Sequence, residues 1–125
     1  MIRRLQHVST PYPAGREEEV RSFYGGVLGL REKAVPASLA GRGLVWFEAG
    51  EDERELHFLP GPPPDPAAMR HFCLEVEDVA ALRAGLAEAG HELTDDTAIP
   101  NRPRVFLRDP FGNLVELTTI EGGYE

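Results

Sequence analysis

Four side chains in this sequence have the types and spacing to hold a divalent metal ion: His7, His57, His71 and Glu116. Each sits in a short segment of alternating character, around Leu5-Gln-His7-Val8, Glu55-Leu-His57-Phe-Leu59, Arg70-His71-Phe-Cys-Leu-Glu-Val76 and Asn113-Leu-Val-Glu116-Leu-Thr-Thr119. Successive strand residues face opposite sides, and the side that meets a helix must be apolar. Val8, Leu56 with Phe58, Phe72 with Leu74 and Val76, and Val115 with Leu117 take that side. His7, His57, His71 and Glu116 are therefore expected on the side without a helix. Neutral imidazole and carboxylate suit a borderline divalent ion such as Zn, Ni, Co, Fe(II) or Mn. A lone strand histidine is more often a solvated or hydrogen-bonded side chain. Four such groups on equivalent strands are much harder to assign to accident. Glu116, the one carboxylate among them, is also the candidate catalytic base.

The elements that must position these groups follow from a repeat. Pro60-Gly-Pro-Pro-Pro-Asp-Pro66 packs five prolines into seven residues, which neither a helix interior nor a central strand tolerates. It reads as a stiff linker between similar halves of one domain, residues 1–125, with module one at about 1–60 and module two at about 67–120. Each half opens with a histidine-bearing apolar segment and continues with a helical pattern. Arg16 to Leu28 sets Val20, Phe23, Tyr24, Val27 and Leu28 on one face, and Val79 to Ala89 does so with Val79, Leu82, Leu86 and Ala89. Asp78 suits an N-cap, and Gly29 and Gly90 suit C-caps. Strand-like runs follow at 31–34, 44–48 and 55–59, then at 92–95, 104–108 and 113–119. Asp109-Pro-Phe-Gly-Asn113 is a turn between the last two. Each half is thus βαβββ, and the fold is α+β with a curved mixed sheet. If the two sheets curl into a cup, the four ligand groups converge inside it.

Other polar and aromatic residues are weighed against plainer roles. Arg102, Arg104 and Arg108 are candidates to bind an anionic substrate group. Arg104 and Arg108 share the parity of Phe106, and the alternative for each is a solvated edge-strand charge. Trp46, Tyr24, Phe47 and Phe106 read as core or cup wall. Trp46 and Phe106, with Arg104, are the candidate substrate contacts. His91, beside Gly90, fits a helix-end partner or a surface residue. Cys73, the one cysteine, reads as a small buried residue between Phe72 and Leu74, and excludes an intrachain disulfide. The tail from Glu121 to Glu125 looks unanchored.

Composition sets the outer bounds. Apolar content of 42% and charged content of 27% are those of an ordinary globular domain. A net charge of −8 offers no basic patch to a nucleic-acid backbone. No apolar run approaches a membrane span, and the N-terminus lacks the apolar stretch of a signal peptide. The expected setting is the cytoplasm and the expected partner a small molecule. A sheet with one face open also needs a second sheet against it, from the other module of the chain or from a second copy. The stiff linker favours holding the modules apart, and the expectation is a homodimer in which Leu5, Leu59, Leu114 and Phe106 are partly covered by a partner.

Three motifs carry a family resemblance over roughly residues 2 to 119. Phe106-Leu-Arg-Asp-Pro-Phe-Gly-Asn-Leu-Val-Glu116-Leu is similar to the closing turn and strand of vicinal oxygen chelate proteins, the glyoxalase, bleomycin resistance and extradiol dioxygenase superfamily. Phe23-Tyr-Gly-Gly-Val-Leu-Gly-Leu30 resembles the end of the first-module helix, and His71-Phe with Glu77-Asp-Val79 the start of the second module. The resemblance implies metal ligands at His7, His57, His71 and Glu116. It implies electrophilic chemistry on two neighbouring substrate oxygens or an enediolate, hence a metal-dependent lyase or isomerase. An Fe(II) extradiol-type dioxygenase using His7, His71 and Glu116 is the second possibility, and a drug-sequestering binding protein of the bleomycin-resistance type the third. Glyoxalase I usually has a carboxylate where this chain has His57, and an arginine shortly after the first histidine. Here Val8-Ser-Thr-Pro-Tyr12 follows, which sets glutathione apart from the expected substrates.

Overall fold

The computed structural model describes residues 1–125. The fold is α+β, with two small mixed sheets, one in each compact unit of the chain. The first unit comprises residues 1–66 and 110–113, the second 67–109 and 114–125. No helix is long and apolar enough to cross a membrane.

The first unit runs β1 (His7–Tyr12), α1 (Glu17–Val20), a π-helical continuation (Arg21–Val27), β2 (Glu32–Lys33), β3 (Val45–Glu48) and β4 (Glu55–Pro60). Its sheet has the order β1-β4-β3-β2, with β1 parallel to β4 and the other pairs antiparallel. The helix lies where the apolar spacing predicts it, but more than half of it is not α. The Leu28 N–H donates to the Phe23 carbonyl at 2.9 Å, one residue beyond the α pattern. Gly25 and Gly26 fall in this widened turn, a stretch with little α preference of its own. The neighbours Phe23 and Tyr24 are both buried. Tyr24 meets the rings of Phe58 at 4.3 Å and Phe47 at 6.1 Å, and Phe47 meets Phe58 edge-on at 5.9 Å. Tyr24 and Phe47 are therefore core, and Phe58→Ala costs about 3–5 kcal/mol.

The second unit runs β5 (His71–Glu75), α2 (Val79–Glu88), β6 (Arg104–Arg108) and β7 (Leu114–Thr118), in the sheet order β5-β7-β6. Here β5 is parallel to β7 and β6 antiparallel to it. Asp78 caps α2 by accepting from the Ala81 N–H at 3.0 Å, and Gly90 ends it at φ +90°. The strand expected at 92–95 is reduced to one bridge, Thr94 with Phe106. Leu93 is the only apolar residue between His91 and Thr97, too little to hold a ladder on a core.

Three further expectations are corrected. The C-terminal tail is tied down: Asn101 Nδ2 donates to the carbonyls of Gly123 and Glu125 at 2.7 and 3.0 Å, and Arg102 donates to that of Gly122 at 2.5 Å. Local alternation gave no sign of these long-range bonds. Cys73 is exposed, because on β5 it shares parity with His71 and not with Phe72 and Leu74. Leu114 and Phe106 are already buried within the chain, whereas Leu5 and Leu59 are exposed.

Tyr12 anchors one edge of the first unit. Its single hydroxyl proton is shared between the Gly43 carbonyl and Glu17, the latter at 2.9 Å. Gly43 sits at φ +69°, and a Cβ there would come 3.1 Å from that hydroxyl, so a glycine is required. Burial, then the Glu17 carboxylate, raise the Tyr12 pKa from 10.0 to about 12. A raised pKa means the folded state favours the protonated form, so this contribution is intact below pH 10 and is lost as the pH rises through about 12. Absorbance titration should show one phenol ionising near the upper value, and Tyr12→Phe should remove that step. A late step persisting in the variant would assign it elsewhere.

Candidate functional site

The two central strands carry the candidate groups at equivalent places. In the first unit β1 residue Ser9 is paired with His57 of β4, two places after His7. In the second, β5 residue Cys73 is paired with Glu116 of β7, two places after His71. The same register thus brings together one histidine of the first strand and one ligand-type residue of the central strand in each unit.

In the first unit the pair is stacked. The His7 and His57 rings lie 4.1 Å apart at 19°, and the indole of Trp46 lies 3.8 Å from His57 at 1°. Behind the stack is a carboxylate the sequence reading did not select. Glu55 is 5% exposed, accepts from His57 Nε2 at 2.8 Å and is ion-paired with Lys33. Burial opposes its ionisation, but the hydrogen bonds from Lys33 and His57 outweigh that cost and hold its pKa at about 2. An ionised carboxylate only accepts, so the proton of His57 is on Nε2 and the lone pair on Nδ1. Burial lowers the His57 pKa and the neighbouring His7 adds to the effect, so neutral imidazole is favoured despite Glu55.

His7 is oriented in the opposite sense. Gln6 Nε2 donates to the Glu53 carbonyl at 2.7 Å, which turns its Oε1 toward His7 Nδ1 at 2.6 Å. That oxygen accepts, so His7 carries its proton on Nδ1 and leaves Nε2 as a lone pair.

In the second unit His71 shows the same device. Its Nδ1 lies 2.7 Å from the Met69 carbonyl, which can only accept, and its Nε2 lies 2.9 Å from Glu116 Oε1. A neutral ring has one proton, committed at Nδ1. Nε2 and the carboxylate then face each other with lone pairs unless the ring is doubly protonated or a cation intervenes. Two ligands held about 2.1 Å from one ion at a right angle are themselves about 3 Å apart, the separation this pair already has. Donation of the second ring N–H to a carbonyl is how metal-ligating histidines are commonly held. By this test His71 and Glu116 are spaced as two ligands of one divalent ion would be.

Arg104 and Phe106 complete this face. Arg104 reaches Glu116 Oε2 at 3.3 Å and the Thr97 carbonyl at 2.6 Å, and its guanidinium lies 5.2 Å from the Phe106 ring. Its Nε is buried without a hydrogen-bond partner. Phe106 meets the His71 ring edge-on at 5.2 Å. Arg108 instead donates to the Ala68 carbonyl, and Arg102 holds the tail. Cys73 lies beside Glu116, and partial desolvation of the thiol on this otherwise exposed residue, followed by that carboxylate, raises its pKa to about 12, far from a reactive thiolate.

The profile of the Glyoxalase/Bleomycin resistance protein/Dioxygenase superfamily matches residues 4–117. The chain belongs to that superfamily. A glyoxalase family protein from Bacillus anthracis is 34% identical over 96% of this chain and 97% of its own, with a TM-score of 0.86. Two more distant structures share the superfamily fold. FosX, a fosfomycin resistance protein from Listeria monocytogenes solved with Mn(II) and sulfate, is 13% identical over 96% and 92% of the chains, TM-score 0.76. TnmS3, an antibiotic binding protein from Streptomyces sp. CB03234, is 22% identical over 95% and 97%, TM-score 0.74. No protein of curated function matches the chain.

Within neither unit do three or more His, Cys, Asp or Glu side chains gather around one metal-sized point. Each unit contributes a pair. Parity could have singled out Glu55, which shares the face of His57 on β4; nothing in local sequence marks Gln6 or the Met69 carbonyl. The tautomers are directly measurable. Nitrogen-15 NMR should find Nδ1–H on His7 and His71 and Nε2–H on His57, and Glu55→Gln should weaken only the His57 preference. An Nδ1–H tautomer at His57 would break the argument.

Proposed function

We propose that the chain is a metal-dependent lyase or isomerase acting on a small oxygenated substrate, with His7, His57, His71 and Glu116 as the metal-binding set. The observation that carries this reading is the His71–Glu116 pair, with Nε2 and Oε1 2.9 Å apart and Nδ1 turned to the Met69 carbonyl. Zn, Ni, Co, Fe(II) and Mn all suit these donors. Such an ion supplies a Lewis acid that stabilises charge developing on substrate oxygens, worth several kcal/mol.

The protein's own groups do the rest. Glu116 is the base, taking and returning a proton at a carboxylate oxygen. Arg104 steadies Glu116 Oε2 and offers positive charge to an anionic substrate group. Phe106 and Trp46 are aromatic walls, one against His71 and the other against His57.

A second reading, an Fe(II) dioxygenase of the extradiol type, is favoured by the stack. A metal ion lies in the plane of each imidazole that binds it, and planes as nearly parallel as those of His7 and His57 share no point within bonding distance, about 2.1 Å. His57 joins the set only after turning off Trp46; without it, His7, His71 and Glu116 form the two-histidine, one-carboxylate triad of such oxygenases. The four donors speak for catalysis over the sequestering role of a drug-binding protein.

Elemental analysis of unstripped protein, followed by turnover of a hemithioacetal and a catechol panel with each metal, separates these readings. Lyase or isomerase activity predicts hemithioacetal conversion with metal restored, and catechol oxidation only with Fe(II) selects the dioxygenase. Glu116→Gln should lower turnover by about 10²–10⁴-fold, more than His57→Gln, because only the first removes a base. Equal losses would make Glu116 a ligand alone.

We further propose a homodimer, with Leu5 and Leu59 as apolar residues for a partner to cover. Sedimentation at micromolar concentration should give a dimer; a monomer with full metal and activity refutes it.

A further inference from the structure

The fixed tail has a role the proposed function leaves unfilled. A recess of about 330 Å³ opens in the second unit, lined by Glu116, Arg104 and Cys73 at one part and by Ile99, Ile120 and Tyr124 at another. The polar part contains the proposed base and its arginine. The other part sets three apolar side chains beside the Arg102 guanidinium, with Tyr124 supplied by the held tail. Asn101 and Arg102 together donate to three tail carbonyls, the Glu121 N–H returns a bond to Asn101, and the Arg102 guanidinium lies 4.4 Å over the Tyr124 ring. Yet Tyr124 remains 69% exposed and Ile120 47% exposed. The bonds hold these apolar side chains at the mouth of the recess without burying them.

We propose that Ile99, Ile120 and Tyr124 form a substrate subsite for an apolar, preferentially aromatic substituent, whose oxygen-bearing end lies at Glu116 and Arg104. The inference rests on the metal-dependent reading above and adds the substrate class: an aryl-substituted oxygenated molecule in preference to a small unsubstituted one. Charge complementarity supports the orientation. Ile99, Ile120 and Tyr124 supply the apolar surface, beside Arg102, and the strands supply Glu75, Arg104 and Glu116, so an amphipathic ligand has one favourable direction. Arg104, bonded to Glu116 Oε2 at 3.3 Å, is the cation beside the proposed base.

Two probes separate the substituent from the oxygens: acetohydroxamate and benzohydroxamate both chelate through two neighbouring oxygens and differ in the ring. Their affinities are measured by calorimetry on Mn(II)-loaded protein comprising residues 1–125. Benzohydroxamate should bind wild type at least about tenfold more tightly than acetohydroxamate, the gain expected when one ring is removed from water. Tyr124→Ala should reduce that preference to about twofold or less with acetohydroxamate affinity unchanged, and Tyr124→Phe, which keeps the ring, should retain it. Removal of residues 121–125 should act like Tyr124→Ala. Equal binding of the two probes to wild type, or a preference unaltered in Tyr124→Ala, overturns the subsite and leaves the metal-dependent reading standing. Failure of wild type to bind either probe overturns both.

Discussion

The period of two along β4 and β7 is the constraint on which the rest of this protein depends. Each is the central strand of its sheet, parallel to the strand before the helix and antiparallel to its hairpin neighbour. Each alternates core and site on successive residues: Leu56 and Phe58 against Glu55 and His57, Val115 and Leu117 against Glu116. A slip of one residue would put a carboxylate or imidazole into the aromatic core and Phe58 into the site, a change no side chain could absorb locally. The core therefore fixes the site. Burial of Phe58 and Val115 selects the register, and the register presents His57 and Glu116 on the opposite face.

That logic explains what could be read from the sequence alone. Face assignment needs only the alternation, so His7, His57, His71 and Glu116 were assignable to one side of their strands, and the pairs in each unit do share a face. The second helix was equally legible, because Asp78 and Gly90 act on their own neighbours. What escaped depends on partners far along the chain. The tail is held by Asn101 and Arg102, about twenty residues away, and neither resembles an anchor locally. Glu55 was placed on the right face, yet its part in orienting His57 requires Lys33 from another strand. The short strand at 92–95 failed because turn residues and charges outweigh its single leucine.

The electrostatics of the candidate groups also come down to proton count. A neutral imidazole has one proton, and in this protein each of three histidines has an acceptor beside one nitrogen: Gln6 for His7, Glu55 for His57, the Met69 carbonyl for His71. The acceptors differ in kind, an amide, a carboxylate and a backbone carbonyl, but the result is the same: one lone pair per ring remains. Glu55 and Lys33 show how a chain of net charge −8 keeps a buried carboxylate in the ionised form this requires. Without the lysine, burial would raise the carboxyl pKa and Glu55 could donate instead of accept.

The two units thus use one register to different ends. A carboxylate opposite the i+2 position of the first strand, as with Glu116, meets its histidine atom to atom, which leaves an ion-sized relation between nitrogen and oxygen. A histidine at the equivalent position, His57, has a flat face as well as an edge, and between Trp46 and His7 the face is satisfied by stacking. Stacking and coordination compete for the same ring, because one uses the π surface and the other the in-plane lone pair. The ring is further restrained by the Glu55 hydrogen bond, so turning it toward an ion breaks a stack on both faces and a charge-assisted bond together. In the second unit no stack holds the ring: the His71 edge faces Glu116 Oε1 at 2.9 Å while Arg104 holds the other carboxylate oxygen, so Glu116 is the residue on which the proposed binding and proton-transfer roles meet.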